Sequence, residues 1–170
     1  MKFLIRVGIL LVLLMSPGLM ATAQTPEAVS GEPSSFASGL NQPATFFDDR
    51  GNPVFEIMVT GMERDWQSED EYTVAERGMT FVKIDFAFTN LSDRAEIVSP
   101  YVVMLVDNMG LTAQQVYISD DPTIFTEDVA VEPGATVEGS LVYSIYTDLE
   151  PNLIVWQPDY NLYVIIHIGE

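Results

Sequence analysis

Carboxylates are the residues of this chain best suited to chemistry, and they come in groups. Glu63, Asp65, Glu69, Asp70 and Glu71 surround Trp66, with Tyr72 directly after them; Asp120, Asp121, Glu127 and Asp128 form a second group, and Asp107 and Asn108 stand just before Gly110. Loops dense in carboxylates suit calcium, which takes about six to eight oxygen ligands at about 2.3–2.6 Å. Asp120, Asp121, Glu127 and Asp128 are therefore the calcium candidates. No D-x-D-x-D-G ligand loop is present, however, and acids clustered on a strongly acidic chain are ordinarily a solvated surface. The aromatics offer a second chemistry, because amphipathic rings in loops serve recognition of a protein or sugar surface. Trp66, flanked by Asp65 and followed by Tyr72, is the expected contact, whereas Trp156, beside Val155, is expected in the core.

Most other chemistries are closed. There is no cysteine, which excludes disulfides, thiolate nucleophiles, iron–sulfur clusters and cysteine-ligated zinc or copper. No G-x-S-x-G elbow, H-E-x-x-H helix or phosphate loop occurs. The single histidine, His167, sits in an apolar run on the same strand face as Tyr163 and Ile165, where a more polar outward position is the usual account. Two acids meeting across loops could hydrolyse a glycoside, so a hydrolase using loop carboxylates is a generic alternative with no motif behind it. Met58, Met62, Met79, Met104 and Met109 lack the tight spacing of a Cu(I) carrier and are expected to fill gaps in the core. No cofactor is called for, calcium being the one candidate.

The elements that must carry these loops are short strands. In Thr80 to Thr89, Val82, Ile84, Phe86 and Phe88 share one face and Lys83, Asp85 and Thr89 the other, the period of two that marks a half-buried strand. Thr136 to Ile145 repeats it, with Val137, Leu141, Tyr143 and Ile145 inward and Thr136, Glu138, Ser140 and Ser144 outward, after a Pro133-Gly134 turn. Val54 to Met62, Tyr101 to Val106, Leu153 to Trp156 and Leu162 to Ile168 follow, with Ala113 to Ile118 as a seventh. Connecting helices are missing, so a parallel α/β fold is disfavoured. The expectation is all-β: an immunoglobulin-like antiparallel β-sandwich of about seven strands over 47–170, held by packing alone.

Lys2 and Arg6, the apolar run Val7 to Met15, a Pro17-Gly18 break and Ala21-Thr22-Ala23 have the layout of a secretory signal peptide cleaved after Ala23. Residues 24–46, rich in Pro, Ser, Ala and Gly and without apolar period, read as a flexible linker. Loss of residues 1–23 removes Lys2 and Arg6 and no acid, leaving 25 acidic and 5 basic side chains and a formal charge of −20. Such a charge repels phosphate backbones and anionic lipid, so neither nucleic acid nor stable membrane insertion after cleavage is expected.

Three segments carry a resemblance. Gly78 to Ser92 holds a strand ending in Asn-x-Ser, Leu105 to Gly110 a Leu-x-Asp-x-x-Gly turn, and Val131 to Tyr143 a Pro-Gly turn leading into Gly-x-Leu-Val-Tyr. In that order they resemble a family of bacterial secreted proteins with a telokin-like, immunoglobulin-like β-sandwich, related to immunoprotective extracellular antigens and largely of unknown function. The resemblance covers residues 53 to 169 and implies no catalytic residue. Many relatives carry a lipoprotein cysteine, and this chain does not. Asn90 and Gly110 have turn-forming roles that need no site; Asn90-Leu91-Ser92 is only formally a glycosylation acceptor. The resulting expectation is a secreted, periplasmic or cell-surface binding or surface-presentation module that is not an enzyme. Its expected partner is an extracellular or envelope protein or glycan, with a calcium-dependent adhesion or stability module as the alternative.

Overall fold

Residues that alternate in character pair here with residues that alternate in step. β3 (Pro53–Trp66) turns Phe55, Ile57 and Val59 inward, β4 (Met79–Asn90) turns in Val82, Ile84, Phe86 and Phe88, and β9 (Thr136–Tyr146) turns in Leu141, Tyr143 and Ile145. β4 and β9 pair antiparallel without interruption from Met79↔Tyr146 to Thr89↔Thr136. In the computed structural model, which describes residues 35–119, 121–159 and 162–169, β2 (Pro43–Phe47) and β7 (Gln114–Val116) complete a five-stranded sheet in the order β2-β3-β4-β9-β7. Facing it is a four-stranded sheet, β1 (Phe36–Ser38), β11 (Leu162–His167), β10 (Pro151–Asp159) and β6 (Val103–Asp107) in that order. β5 (Glu96–Val98) and β8 (Val129–Val131) form a separate ribbon. Among the described strands every pairing is antiparallel except β1 with β11, and an isolated parallel bridge joins Ile124 to Ser140.

One hydrophobic core lies between the two larger sheets. At its centre Trp156 of β10, 1% exposed, meets Phe46, Phe55 and Phe88 of the opposite sheet at ring-centroid distances of 5.2, 5.5 and 5.5 Å. Buried aromatics supply both large apolar area and oriented ring contacts. With no covalent staple, these rings clamp the layers together, and the buried Tyr143 hydroxyl adds a cross-sheet hydrogen bond to the Val103 carbonyl at 3.1 Å.

A second, smaller core covers the outer face of the five-stranded sheet. Ile118 and Ile124 lie on Phe81 and Val142, with Trp66, Ala75 and Val116 packed alongside. The chain around Ile124 is fixed by Ser140, whose amide donates to the Thr123 carbonyl and whose carbonyl accepts from the Phe125 amide. Gly139 makes room for this strap: a Cβ there would stand 2.6–2.8 Å from atoms of the Phe125 ring.

Four sequence expectations need correction. Ser140 does face away from the main core, yet it is buried beneath the strap and donates to Asp85 Oδ1 at 2.6 Å. Of the expected linker over 24–46, residues 24–34 lie outside the described residues, and the remainder carries strand at Phe36–Ser38 and at the start of Pro43–Phe47, with Ala44 and Phe46 in the core. No described methionine fills the core; Met62 and Met109 are exposed and Met58, Met79 and Met104 half-buried. The strand over Tyr101 to Val106 begins only at Val103, because Pro100–Val102 form a 3-10 turn. The expected His167 placement holds, on the outer face beside Ile165 and Tyr163 with Val164 and Ile166 buried behind them.

Candidate functional site

β3 is long enough to run from one hollow of the domain to another. At its far end the chain turns at Asp65, whose φ of 57° is left-handed backbone that non-glycine residues rarely adopt and aspartate tolerates. Asp65 Oδ1 accepts a 2.7 Å hydrogen bond from Thr80 Oγ1 across the β3–β4 pair, which holds this turn. It aims Trp66 back over the sheet, where the ring lies 6.4 Å from that of Phe81 and packs on the smaller core. Trp66 is therefore half-buried rather than fully presented. Lys83 Nζ lies 5.9 Å from its ring centroid, within cation–π range, and forms an ion pair with Asp121 at 3.4 Å.

The loop after Trp66 is ordered by its own carboxylate. Asp70 accepts from Thr73 Oγ1 at 2.8 Å and from the Tyr72 amide at 3.1 Å, and these two bonds hold its carboxyl below the usual carboxylate range. Between this loop and the starts of β4 and the β9–β10 turn lies a groove of about 440 Å³. Trp66, Val74, Ala75, Met79 and Phe81 are its apolar lining; Asp65, Asp70 and Glu71 line it as carboxylates, and no basic residue does. Tyr72, 85% exposed, projects from the same loop.

The structure thus brings Asp65, Trp66 and the Tyr72 loop to one place. Among the described calcium candidates, Asp121, Glu127 and Asp128, it forms no such grouping. Asp121 is committed: Oδ1 accepts from Thr123 Oγ1 at 2.6 Å and from its amide at 2.8 Å, and Oδ2 pairs with Lys83. The Thr123 hydroxyl, then its amide and Lys83, hold the Asp121 carboxyl low. Glu127 and Asp128 are exposed and Asp120 lies outside the described residues. Among the described residues no three acidic or histidine side chains come together as a metal cluster. Asp107, grouped with the surface acids by sequence, is instead buried and structural: it accepts from the Met109 and Leu111 amides at 2.8 and 2.9 Å around Gly110, whose φ is 81°.

Two features were invisible to the sequence reading. The Lys83–Trp66–Asp121 grouping depends on the strap folding back over β4, which no local spacing announces. At the other end of β3, a hollow of about 600 Å³ is lined by Arg50 and Arg94 together with Asp48, Asp49, Asp93 and Glu96. There Asn52, through its side chain and then its amide, holds Asp48 low, and Glu96 pairs with Arg94 at 2.6 Å.

The two packed sheets define a β-sandwich of the immunoglobulin-like class, with a loop-borne groove at one end. The chain belongs to the family described as Domain of unknown function (DUF4352), whose model matches residues 52–163. Solved structures share the fold. The secreted protein MPT63 from Mycobacterium tuberculosis is 13% identical over 81% of this chain and 99% of its own, with a TM-score of 0.59. The yjhA protein from Bacillus subtilis is 11% identical over 78% of this chain and 99% of its own, TM-score 0.57. The ycdA protein from the same organism is 12% identical over 68% of this chain, TM-score 0.56, and this chain spans only 36% of its length. No curated protein matches the sequence. No helix among the described residues is long and apolar enough to cross a membrane.

Proposed function

We propose that this protein is an exported, non-enzymatic binding module whose contact surface is the groove at the Trp66 end of the sandwich. One observation carries the reading: Trp66, Asp65 and the Tyr72 loop line or flank one open groove, held in place by the Thr80 and Asp70 hydrogen bonds. Preorganised loops on a rigid sheet are where β-sandwiches carry recognition, and tryptophan and tyrosine are the residues enriched at the centres of such contacts. Asp70 is unsuited to act as the general acid of a hydrolase. A general acid needs a raised pKa, whereas Asp70 is held low by its two hydrogen bonds. The kinship with secreted sandwiches agrees with export, and the N-terminal charge, apolar run and A-x-A site supply its signal.

The test is capture of partners from culture fluid and envelope extract by the protein and by Trp66→Ala. Because Trp66 is only half-buried, its loss leaves the main core intact, and thermal unfolding checks that it does. A partner retained by the protein and lost by Trp66→Ala supports the surface. Equal recovery of every partner by both forms overturns it.

A further inference from the structure

The groove is not electrostatically neutral. Three carboxylates and no cation line it, and the loop that forms it contributes Glu69 and Glu76 as well, against Arg77. Asp70 stays ionised through ordinary pH because Thr73 and the Tyr72 amide already donate to it. Of the cations near the groove, Lys83 is internally paired with Asp121 while its ammonium lies near the Trp66 face, and Arg64 is paired with Glu150 and donates to the carbonyl of Thr147, a lining residue. Apolar surface is supplied next to this charge by Trp66, Val74 and Phe81.

An occupant must complement both properties. Negative groups would be repelled by the three carboxylates and by the formal charge of −18 on the whole chain. A purely apolar occupant would leave the carboxylates facing it without compensation. A Lys or Arg side chain satisfies both demands, since its methylenes lie on apolar surface while its head meets carboxylate oxygens or an aromatic face. The open groove and the protruding Tyr72 suit side chains borne on a larger surface better than a small ligand that must be enclosed. Resting on the reading of the Trp66 groove as the contact surface, we propose that its occupant is an extended basic segment of a partner protein, with Lys or Arg alternating with apolar residues.

Intrinsic fluorescence reads this directly, because Trp66 is half-exposed and Trp156 is sealed in the core. The protein is titrated with a capped Leu-Arg-Leu-Lys-Leu peptide, its Leu-Glu-Leu-Glu-Leu counterpart and spermidine. The basic peptide is expected to give a saturable change, the acidic one none, and spermidine a response at least about tenfold weaker for want of apolar contact. Asp65→Asn with Asp70→Asn and Glu71→Gln, which keep shape and hydrogen-bonding capacity, should weaken the basic peptide about tenfold, as three exposed charge pairs removed together would. An unchanged thermal midpoint shows that this variant is folded; if it is not, raising NaCl from 50 to 500 mM on the unaltered protein replaces it and should weaken binding likewise. Equal response to the acidic peptide, indifference to charge removal or salt, or spermidine binding as tightly as the peptide each overturns the proposal. If the basic peptide fails while Trp66→Ala still loses a captured partner, the basic occupant is wrong and the surface stands. If both fail, the surface is wrong too.

Discussion

Asn90 shows how a motif residue can be decided by hydrogen bonds alone. It is fully buried; its Nδ2 donates to the Arg94 and Val131 carbonyls at 2.8 Å each and its Oδ1 accepts from the Ser92 amide at 2.9 Å. The side chain ties the end of β4 to β8 and shapes an Asx turn, and with its amide committed inside it is no glycan acceptor. Asn90→Ala removes three hydrogen bonds of a fully buried side chain and should cost about 2–4 kcal/mol in urea unfolding, the range for several buried bonds lost together. Asn90→Asp should cost more at pH 7, since a carboxylate would face two carbonyls. A cost under about 0.5 kcal/mol for both would mean that the turn forms without Asn90. The carboxylates with depressed pKa values predict a second behaviour. Asp48, Asp70 and Asp121 are lowered in the folded state from the ordinary value near 3.8, so their stabilising effect is present above about pH 4 and is lost as pH falls through their folded values. NMR titration should find all three midpoints below the ordinary aspartate value near 3.8, and a normal Asp121 midpoint would count against its bonds to Thr123 and Lys83. At this scale the turn roles of Asn90 and Gly110 were legible, because each depends on neighbours within a few residues. The packing of Trp66 was not, because the residues beneath it come from β4, β9 and the strap.

Strands were legible in proportion to their length. β3, β4 and β9, at 14, 12 and 11 residues, give several alternations, and their inward residues were read correctly. β1, β5 and β8 are three residues long, too short for a period of two to stand out from chance. β2 was missed for another reason: Pro43 and the Ser- and Gly-bearing stretch before it look like linker, while its partner in β3 is what gives Ala44 and Phe46 their meaning. Its register, Ala44↔Ile57 and Phe46↔Phe55, sets Phe46 against Trp156 at the centre of the core. A chain beginning at residue 48 should therefore be severely destabilised, by more than about 3 kcal/mol, the cost of losing one large core aromatic, with a matching fall in the urea midpoint. Removal without effect would mean that β2 is an ornament on the sheet. The strap makes a finer demand, since Gly139→Ala would push against the Phe125 ring, whereas Gly134→Ala would meet no atom within 4 Å yet strain a backbone at φ 72°.

For the molecule as a whole, composition settled the charge and strand count the layered architecture, but neither located a groove, which exists only where loops from distant strands converge. Charge makes a prediction of its own. The formal charge is −18, and among the described residues three ion pairs offset it, each with at least one partner a quarter or more exposed. Screening acts on both signs of interaction. Exposed pairs contribute about 0–1 kcal/mol each, so their weakening by salt is small, whereas repulsion among the many unpaired acids is summed over the whole surface and favours the expanded chain. Raising NaCl from about 20 mM to about 500 mM shortens the screening length from roughly 20 Å to about 4 Å. Repulsion should lose more than attraction, and the thermal midpoint should rise by about 3–5 °C, the shift that about 1 kcal/mol produces in a domain of this size. A midpoint that falls with salt would show that the Lys83–Asp121, Arg64–Glu150 and Arg94–Glu96 pairs outweigh the general repulsion. Calcium at matched ionic strength separates screening from binding. With Asp121 already bonded to Thr123 and Lys83, calcium should raise the midpoint no further than NaCl does. An additional rise reversed by chelator and abolished by Asp121→Asn would instead place a cation among Asp121, Glu127 and Asp128, since only a ligand specific to the folded state adds stability beyond screening.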